Sequence, residues 1–351
     1  MMCTRKKIEQ VLREQEVKYH FLQTDDGGWA IVVPEPGAKV LAAGVDGESA
    51  FWINPSLAKD GWCVGGQRTW LAPELGSEGF FGTGVEDWKV PPVLDPGCYR
   101  QIEGKAGTLT FRNDLTIERT DGRSFDLGIV RSIHIESPRE AHSAPGLKIR
   151  IDNRLVNRMD RKLDREVGLW NIVQAPAEVA GTFLIPLKHP SAREPSEKPY
   201  RLYFGDLPSD WVVETPSLLY IKALAGKWFK IGIPPLVTTG TLGFLRPSRV
   251  DDQHILTILH AAVEPAARYI DKPLLQTVEN GDALQCYNSP DKKKLNFCEL
   301  EAHSPVAALG PWEKQKTHVE ILLFKDRFEE LCTAAGHLLA VEVDRERMFC
   351  A

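Results

Sequence analysis

From residue 20 to about residue 325 the chain consists of short segments in which apolar and polar residues alternate, cut at close intervals by Gly, Pro, Asp and Asn. A period of two is the signature of strands with two different faces, and frequent turn residues keep such strands short. Residues 29–33, 39–44, 50–53, 108–112, 115–119, 126–136 and 147–156 read this way. So do 182–187, 201–204, 219–223, 228–231, 254–263 and 284–287. Thr120-Asp121-Gly122, between Arg119 and Arg123, is a hairpin signal. No helical pattern lies between the segments, which excludes a parallel α/β sheet. The chain is therefore expected to be all-β, a large antiparallel β super-sandwich. Helical spacing occurs only at the two ends. Ile8, Val11 and Leu12 mark a short N-terminal helix over about 5–15, and Phe328, Leu331, Cys332 and Ala335 a C-terminal helix over about 326–336. No repeat of fixed period is present. Residues 188–199 read as a surface loop rather than a linker, so a single domain over 1–351 is expected.

Composition narrows the function classes. A net charge of −5 and 26% charged residues argue against a nucleic-acid binder. The basic residues Arg154, Arg158, Arg161, Lys162 and Arg165 alternate with Asp160, Asp164 and Glu166, as in a solvated loop. The 7 cysteines are scattered without a Cys-x-x-Cys pair, which fits neither a disulfide framework nor a zinc site. Residues 1–19 carry no apolar stretch of the signal-peptide kind, and no run of about 18 apolar residues occurs. A cytoplasmic protein without a membrane span is expected. Of the 9 histidines none forms His-x-His or His-Glu-x-x-His, and His254 and His260 would stand about 20 Å apart along one strand. No metal is expected. Without a phosphate loop or a dinucleotide fingerprint, no cofactor is expected either.

Three stretches carry the chemistry. In residues 297–303 alternation puts Phe297, Glu299, Glu301 and His303 on one strand face, and Cys298, Leu300 and Ala302 on the other. The apolar face is expected to be the buried one, with Thr317 to Phe324 returning as a strand beside the first. Two carboxylates two residues apart stand about 6.5–7 Å apart at Cα. In a dry setting their repulsion raises one pKa toward neutrality, which suits proton transfer. On a solvated outer face the same pair would have no role. The second stretch is Gly65-Gly66-Gln67-Arg68-Thr69-Trp70-Leu71-Ala72-Pro73-Glu74. Arg68 and Trp70 share a side and offer a donor fork and a flat apolar face, groups that suit a sugar. A glycine turn leading into a core Trp with a snorkelling Arg would read the same way. In the third, residues 168–174, Trp170, Ile172 and Gln174 share a face, as in many sandwich cores.

Taken together, Gly65 to Glu74, Leu169-Trp170-Asn171-Ile172-Val173-Gln174 and Glu299-Leu300-Glu301-Ala302-His303-Ser304-Pro305 resemble, in order and placement, the galactose mutarotase-like (aldose 1-epimerase-like) superfamily. The resemblance covers roughly residues 20–325. It implies a super-sandwich whose concave face binds a small-molecule carbohydrate. By position, Glu301 matches the family's catalytic base and Arg68 its substrate-facing basic residue. Active mutarotases carry a central His-Pro motif that supplies the general acid; here that place is taken by Trp170 to Gln174, which holds no histidine. His303 is then the acid to consider. The resemblance thus implies catalytic roles for Glu301 and His303. Arg68, Trp70, Glu74, Trp170, Gln174 and Glu299 would bind substrate, with Trp70 and Trp170 stacking on the sugar. The implied function is carbohydrate binding, with aldose epimerase activity resting on the Glu base. The alternatives are a glycoside hydrolase or lyase, which needs a second acid such as Glu74 across the cleft, and a non-catalytic sugar sensor.

Overall fold

The computed structural model describes residues 3–57, 61, 63–139, 145–188, 197–290 and 295–350. Most of the expected surface loop 188–199 lies outside them. Two antiparallel sheets stack face to face. The first contains β1 (His20–Gln23), β2 (Gly28–Val33), β3 (Lys39–Val45), β4 (Gln67–Ala72) and β10 (Gly168–Pro176). It continues with β12 (Arg201–Gly205), β15 (Phe229–Ile233), β18 (Leu284–Asn288) and β19 (Phe297–His303). Its order is β1-β2-β3-β4-β10-β19-β18-β15-β12.

The second sheet holds β5 (Arg100–Ile102), β6 (Leu109–Glu118), β7 (Ser124–Glu136), β8 (Gly146–Asn157) and β11 (Gly181–Pro186). To these it adds β13 (Val212–Glu214), β14 (Leu218–Ala223), β16 (Thr241–Pro247), β17 (His254–Ala261) and β21 (Lys314–Asp326). The order is β13-β14-β11-β16-β17-β21-β8-β7-β6-β5. A two-stranded pair, β9 (Leu163–Asp164) with β20 (Ala308–Leu309), stands apart. The all-β sandwich expected from the alternation is therefore observed.

The core between the sheets follows from the period of two. Val173, Ala175, Leu300, Ala302 and Ile231 of the first sheet meet Phe111, Ile133, Ile149, Phe183, Phe244 and Ile321 of the second. Each such side chain contributes about 1.5–3 kcal/mol when taken out of water. The alternate residues of the first sheet are turned to its other face, which sets up the site described below. Helix α1 (Arg5–Glu14) lays Ile8 and Leu12 on Trp29, Ile31 and Leu41. Helix α2 (Phe328–Leu339) packs Leu331, Cys332 and Ala335 on Leu184, Ile258 and Phe324 of the second sheet. Glu329 and Glu330 in its first turn suit the positive end of the helix dipole.

Three local expectations differ from the structure, and one strand, β16, had no expectation. Residues 50–53 form no strand; they follow an irregular buried path tied by one bridge, Ile53 with Gly65. Residues 108–112 and 115–119 are one strand, β6, because Asn113 keeps its place by bonding the Val93 carbonyl (3.0 Å) and the Cys98 N–H (3.2 Å). Strand β16 was hidden by Gly243 and Pro247, yet an added Cβ at Gly243 would come within 3.1 Å of Leu184, so the glycine serves close packing there. Finally, β21 does not return beside β19. Both edges of β19 are taken, by β10 and β18, and β21 pairs with β17 and β8 in the opposite sheet.

Candidate functional site

Register on the first sheet lines up three ranks of side chains on the face turned away from the core. Trp170 stands between Trp70 and His303. Ile172 stands between Arg68 and Glu301, with Gln285 next to Glu301. Gln174, Glu299, Tyr287 and Lys230 form the third rank. Strands are about 4.8 Å apart, so the Cα atoms of Glu299 and Lys230, two strands apart, are separated by about 10 Å. Two glycines fix how β4 enters this array. Gly65 and Gly66 have φ of 99° and 77°. A Cβ on Gly65 would stand 2.3 Å from the Trp52 carbonyl oxygen, and one on Gly66 would stand 2.4 Å from that of Val40. Only glycine gives that turn at that approach, and the turn aims Arg68 and Trp70 outward.

The ranks form the floor of a cavity of about 250 Å³. Its charged lining is Arg68, Glu74, Lys230 and Glu299. Every one of these charges has an opposite partner. The Arg68 guanidinium donates to Glu299 at 2.8 Å, and the Gln174 amide donates to the same oxygen at 2.8 Å. The Lys230 ammonium donates to Glu74 at 2.7 Å and lies 3.1 Å from Glu301. Trp88 donates to the other Glu74 oxygen at 2.9 Å. Burial alone would lower the Lys230 pKa; Glu301, Glu74 and Asp271 outweigh it and hold the ammonium charged well above the ordinary lysine range.

Below this layer lies Glu301, fully buried. One oxygen accepts from the Trp170 indole at 2.7 Å and faces Lys230; the other has no hydrogen-bond partner among the described residues. Burial pushes its carboxyl up to about 8, against Lys230 and with help from the charges of Glu299 and Glu74. His303 is stacked on Trp170, with ring centroids 5.5 Å apart and planes at 13°. Neither of its ring nitrogens has a partner among the described residues. Burial, and then the Lys230 charge, hold its pKa well below the ordinary histidine value, so the ring is neutral.

The six residues expected to bind substrate and the two expected to be catalytic are thus in one region, but at different depths. Arg68, Trp70, Glu74, Trp170 and Glu299 line the cavity. Gln174 sits behind Glu299, while Glu301 and His303 lie in the buried layer and are not part of the lining. The solvated-face alternative for the Glu299 and Glu301 pair does not hold, since they are 7% and 0% exposed. Both faces of β19 are buried, against the expectation of a single buried face.

The two tryptophans are placed differently from simple platforms. Arg68 covers a Trp70 face at 4.2 Å, and Trp170 has Lys230 over its ring at 4.3 Å with His303 stacked on it. Both indoles are 2% exposed. Trp228 is the most exposed ring of the lining, at 36%, and it stacks on Phe204 at 4.9 Å. Sequence reading passed over Phe204, Trp228, Lys230 and Tyr287. The available signal was Lys230, a lone lysine in a strand whose neighbours Phe229, Ile231 and Ile233 are apolar. A lysine there is fully buried only if paired.

Among the described residues no group of three or more His, Cys, Asp or Glu is arranged to hold a metal ion, and no helix is long and apolar enough to cross a membrane.

Two stacked antiparallel sheets, one presenting this lined face, make the galactose mutarotase-like fold, and solved structures bear that out. Slr1438 protein from Synechocystis sp. PCC 6803 superposes with a TM-score of 0.53 at 13% identity, over 88% of this chain and 96% of that one. A candidate aldose 1-epimerase from Escherichia coli K12 gives 0.54 at 12% identity, over 89% and 100%. A galactose mutarotase-like protein from Lactobacillus casei ATCC 334 gives 0.51 at 13% identity, over 87% and 100%. At such identities the likeness concerns the fold. The chain belongs to the family of unknown function DUF6786, whose model matches residues 6–349. A search of the curated proteins finds no match.

Proposed function

We propose that the chain binds a small carbohydrate in the cavity on its first sheet. The observation that carries this reading is the combination of ion-paired polar groups, Arg68 with Glu299 and Lys230 with Glu74, and aromatic surface in one small concave space. A sugar needs both: donors and acceptors for its hydroxyls, and a flat apolar wall for its C–H face. At about 250 Å³ the space is just below the range of about 300–1,000 Å³ usual for drug-sized ligands, a scale suited to one sugar ring. In this reading Glu299 and Arg68 take hydroxyls at one end and Lys230 and Glu74 at the other. Trp88, Tyr287 and Phe297 supply apolar wall. Trp70 and Trp170 shape the floor with their edges.

The catalytic form of this reading is an aldose 1-epimerase-like isomerase with Glu301 as base. It draws support from a carboxyl held near neutrality with one oxygen that has no partner among the described residues. Binding without turnover is favoured because Glu301 has no surface in the cavity. In addition, Trp170 fills the segment where the resemblance would place a histidine acid. Without a positioned acid, about 10²–10⁴ in rate is lost.

Melting shifts across a panel of unphosphorylated pentoses and hexoses, with anomeric exchange of each followed by NMR, test both forms. We expect stabilisation by at least one sugar and exchange no faster than in buffer. Exchange abolished by Glu301→Gln would establish the catalytic form. A flat panel would end the carbohydrate reading.

A further inference from the structure

We infer that the cavity takes the terminal unit of an oligosaccharide, with the next sugar ring stacked on the Phe204–Trp228 pair outside it. This rests on the carbohydrate reading above and names the ligand class of that site.

Three observations carry it. The concave space, about 250 Å³, is scaled to a single ring, so a longer ligand must leave it. The wall at which it would leave is aromatic and open. Phe204 and Trp228 are stacked with planes at 29°, and Trp228 is the most exposed ring in the lining. The apolar surface does not stop at the cavity. Phe204 also borders a small neighbouring depression whose lining joins Leu75 and Leu274 with Glu74, Asp271 and Lys272, and Leu274 is 44% exposed. A free monosaccharide seated among Arg68, Glu74, Lys230 and Glu299 would leave this strip unused.

The local backbone explains why the pair is held ready. Phe204 on β12 stands opposite Lys230 on β15. The register shifts between Leu202 and Phe204, and this bulge re-aims the end of β12. Gly205, at φ 79°, then lets the chain pass so close to Trp228 that a Cβ would stand 1.9 Å from the Trp228 carbonyl oxygen. Asp206 closes the turn by donating its N–H to the same oxygen at 2.9 Å. The two rings therefore sit on a braced edge whose geometry exists before a ligand arrives. A pre-positioned aromatic pair loses little side-chain freedom when a sugar face covers it.

The occupant we commit to is a second pyranose. Its ring hydroxyls reach solvent at the rim, whereas a wholly apolar aglycone would gain nothing from the polar cavity it adjoins.

The test is isothermal titration of the full chain with glucose, galactose, mannose and xylose beside cellobiose, lactose, maltose, mannobiose and xylobiose. For the terminal sugar that binds, we expect a disaccharide to bind about tenfold tighter than the monosaccharide. In Trp228→Ala the ratio of disaccharide to monosaccharide affinity should fall to near one, and in Trp228→Phe it should largely survive. Far-UV circular dichroism and melting would show that both variants are folded. Equal affinity for one and two units in the parent overturns the inference while leaving the carbohydrate reading in place. So does a ratio unchanged by Trp228→Ala, or a gain from phenyl glycosides that no disaccharide reproduces. If no sugar of either length binds, both fall together.

Discussion

Two glutamates, equally buried and of opposite character, separate the scaffold of this protein from its cavity. Glu48 and Glu301 both have no exposed surface. Around Glu48 each oxygen is saturated. Arg246 donates at 3.0 Å and the Arg249 side chain at 2.9 Å to one, while Ser248 at 2.6 Å and the Arg249 N–H at 3.1 Å serve the other. Burial would raise its pKa, but Arg246, Ser248 and Arg249 together outweigh burial and bring it below the usual carboxylate value. Glu301 has two donors on one oxygen, none among the described residues on the other, and a pKa pushed up to about 8. Burial alone therefore does not mark a site in this fold. A carboxyl that is both dry and under-served is the better pointer to one, because saturated ion clusters are what a structural role requires.

The largest expected effect follows directly. Glu48→Ala leaves the Arg246 and Arg249 side chains, 3% and 7% exposed, without their shared partner. Breaking a buried pair from one side costs about 3–5 kcal/mol, and urea denaturation should record a loss of that size. Glu301→Gln should cost far less near neutrality, since burial already disfavours the charged carboxylate that the substitution removes and glutamine keeps its shape. Equal losses would erase the contrast between the two glutamates.

The same contrast was only partly legible in the sequence. The strands and the sandwich were readable because alternation is a local signal, and Phe297 to His303 emerged as a strand with the expected bounds. Period alone put Arg68 with Trp70, Trp170 with Gln174 and Glu299 with Glu301, each pair on one face of its own strand, and the resemblance joined the three stretches. Depth could not be read from either. Whether Glu301 or Glu299 meets the cavity depends on Lys230, which arrives from β15 in register with Glu299 through Tyr287 of β18, yet reaches to within 3.1 Å of Glu301. Nor could alternation reveal which face of Trp170 is covered, because Lys230 and His303 reach it from different strands. Glu48 was invisible for a similar reason: its partners Arg246, Ser248 and Arg249 are some 200 positions away.

A smaller effect is the pH dependence of stability, which has opposite signs at the two residues. Glu301 has a folded pKa raised above its unfolded value of about 4.5. Its contribution is complete below pH 4.5 and declines as pH rises through about 8, with a slope of at most about 1.4 kcal/mol per pH unit. Asp282, which burial pushes up to about 7, adds a decline of the same sign. Glu48, with a lowered pKa, contributes above its unfolded value and loses that contribution as pH falls through the folded one. Urea midpoints between pH 5 and 9 should therefore fall less steeply in Glu301→Gln than in the parent. An unchanged slope would mean that Glu301 is ionised throughout, held so by Lys230.

The smallest effect concerns His303, the other under-served group of the buried layer. Its ring is 4% exposed, stacks on Trp170 and offers two nitrogens that no described residue meets. Replacing a buried polar group that has no partner by an apolar one of similar shape removes a desolvation cost without breaking a bond. Phenylalanine keeps the stack and adds modest volume, so strain and relief nearly offset each other. We expect His303→Phe to change stability by less than about 1 kcal/mol and sugar affinity by less than twofold. A proton carrier would behave differently. Its loss would lower any anomeric exchange about 10²-fold or more while leaving the unfolding free energy in place. That split between rate and stability would move His303 from packing to chemistry, and it would make the buried layer, rather than the cavity wall, the place where protons are held.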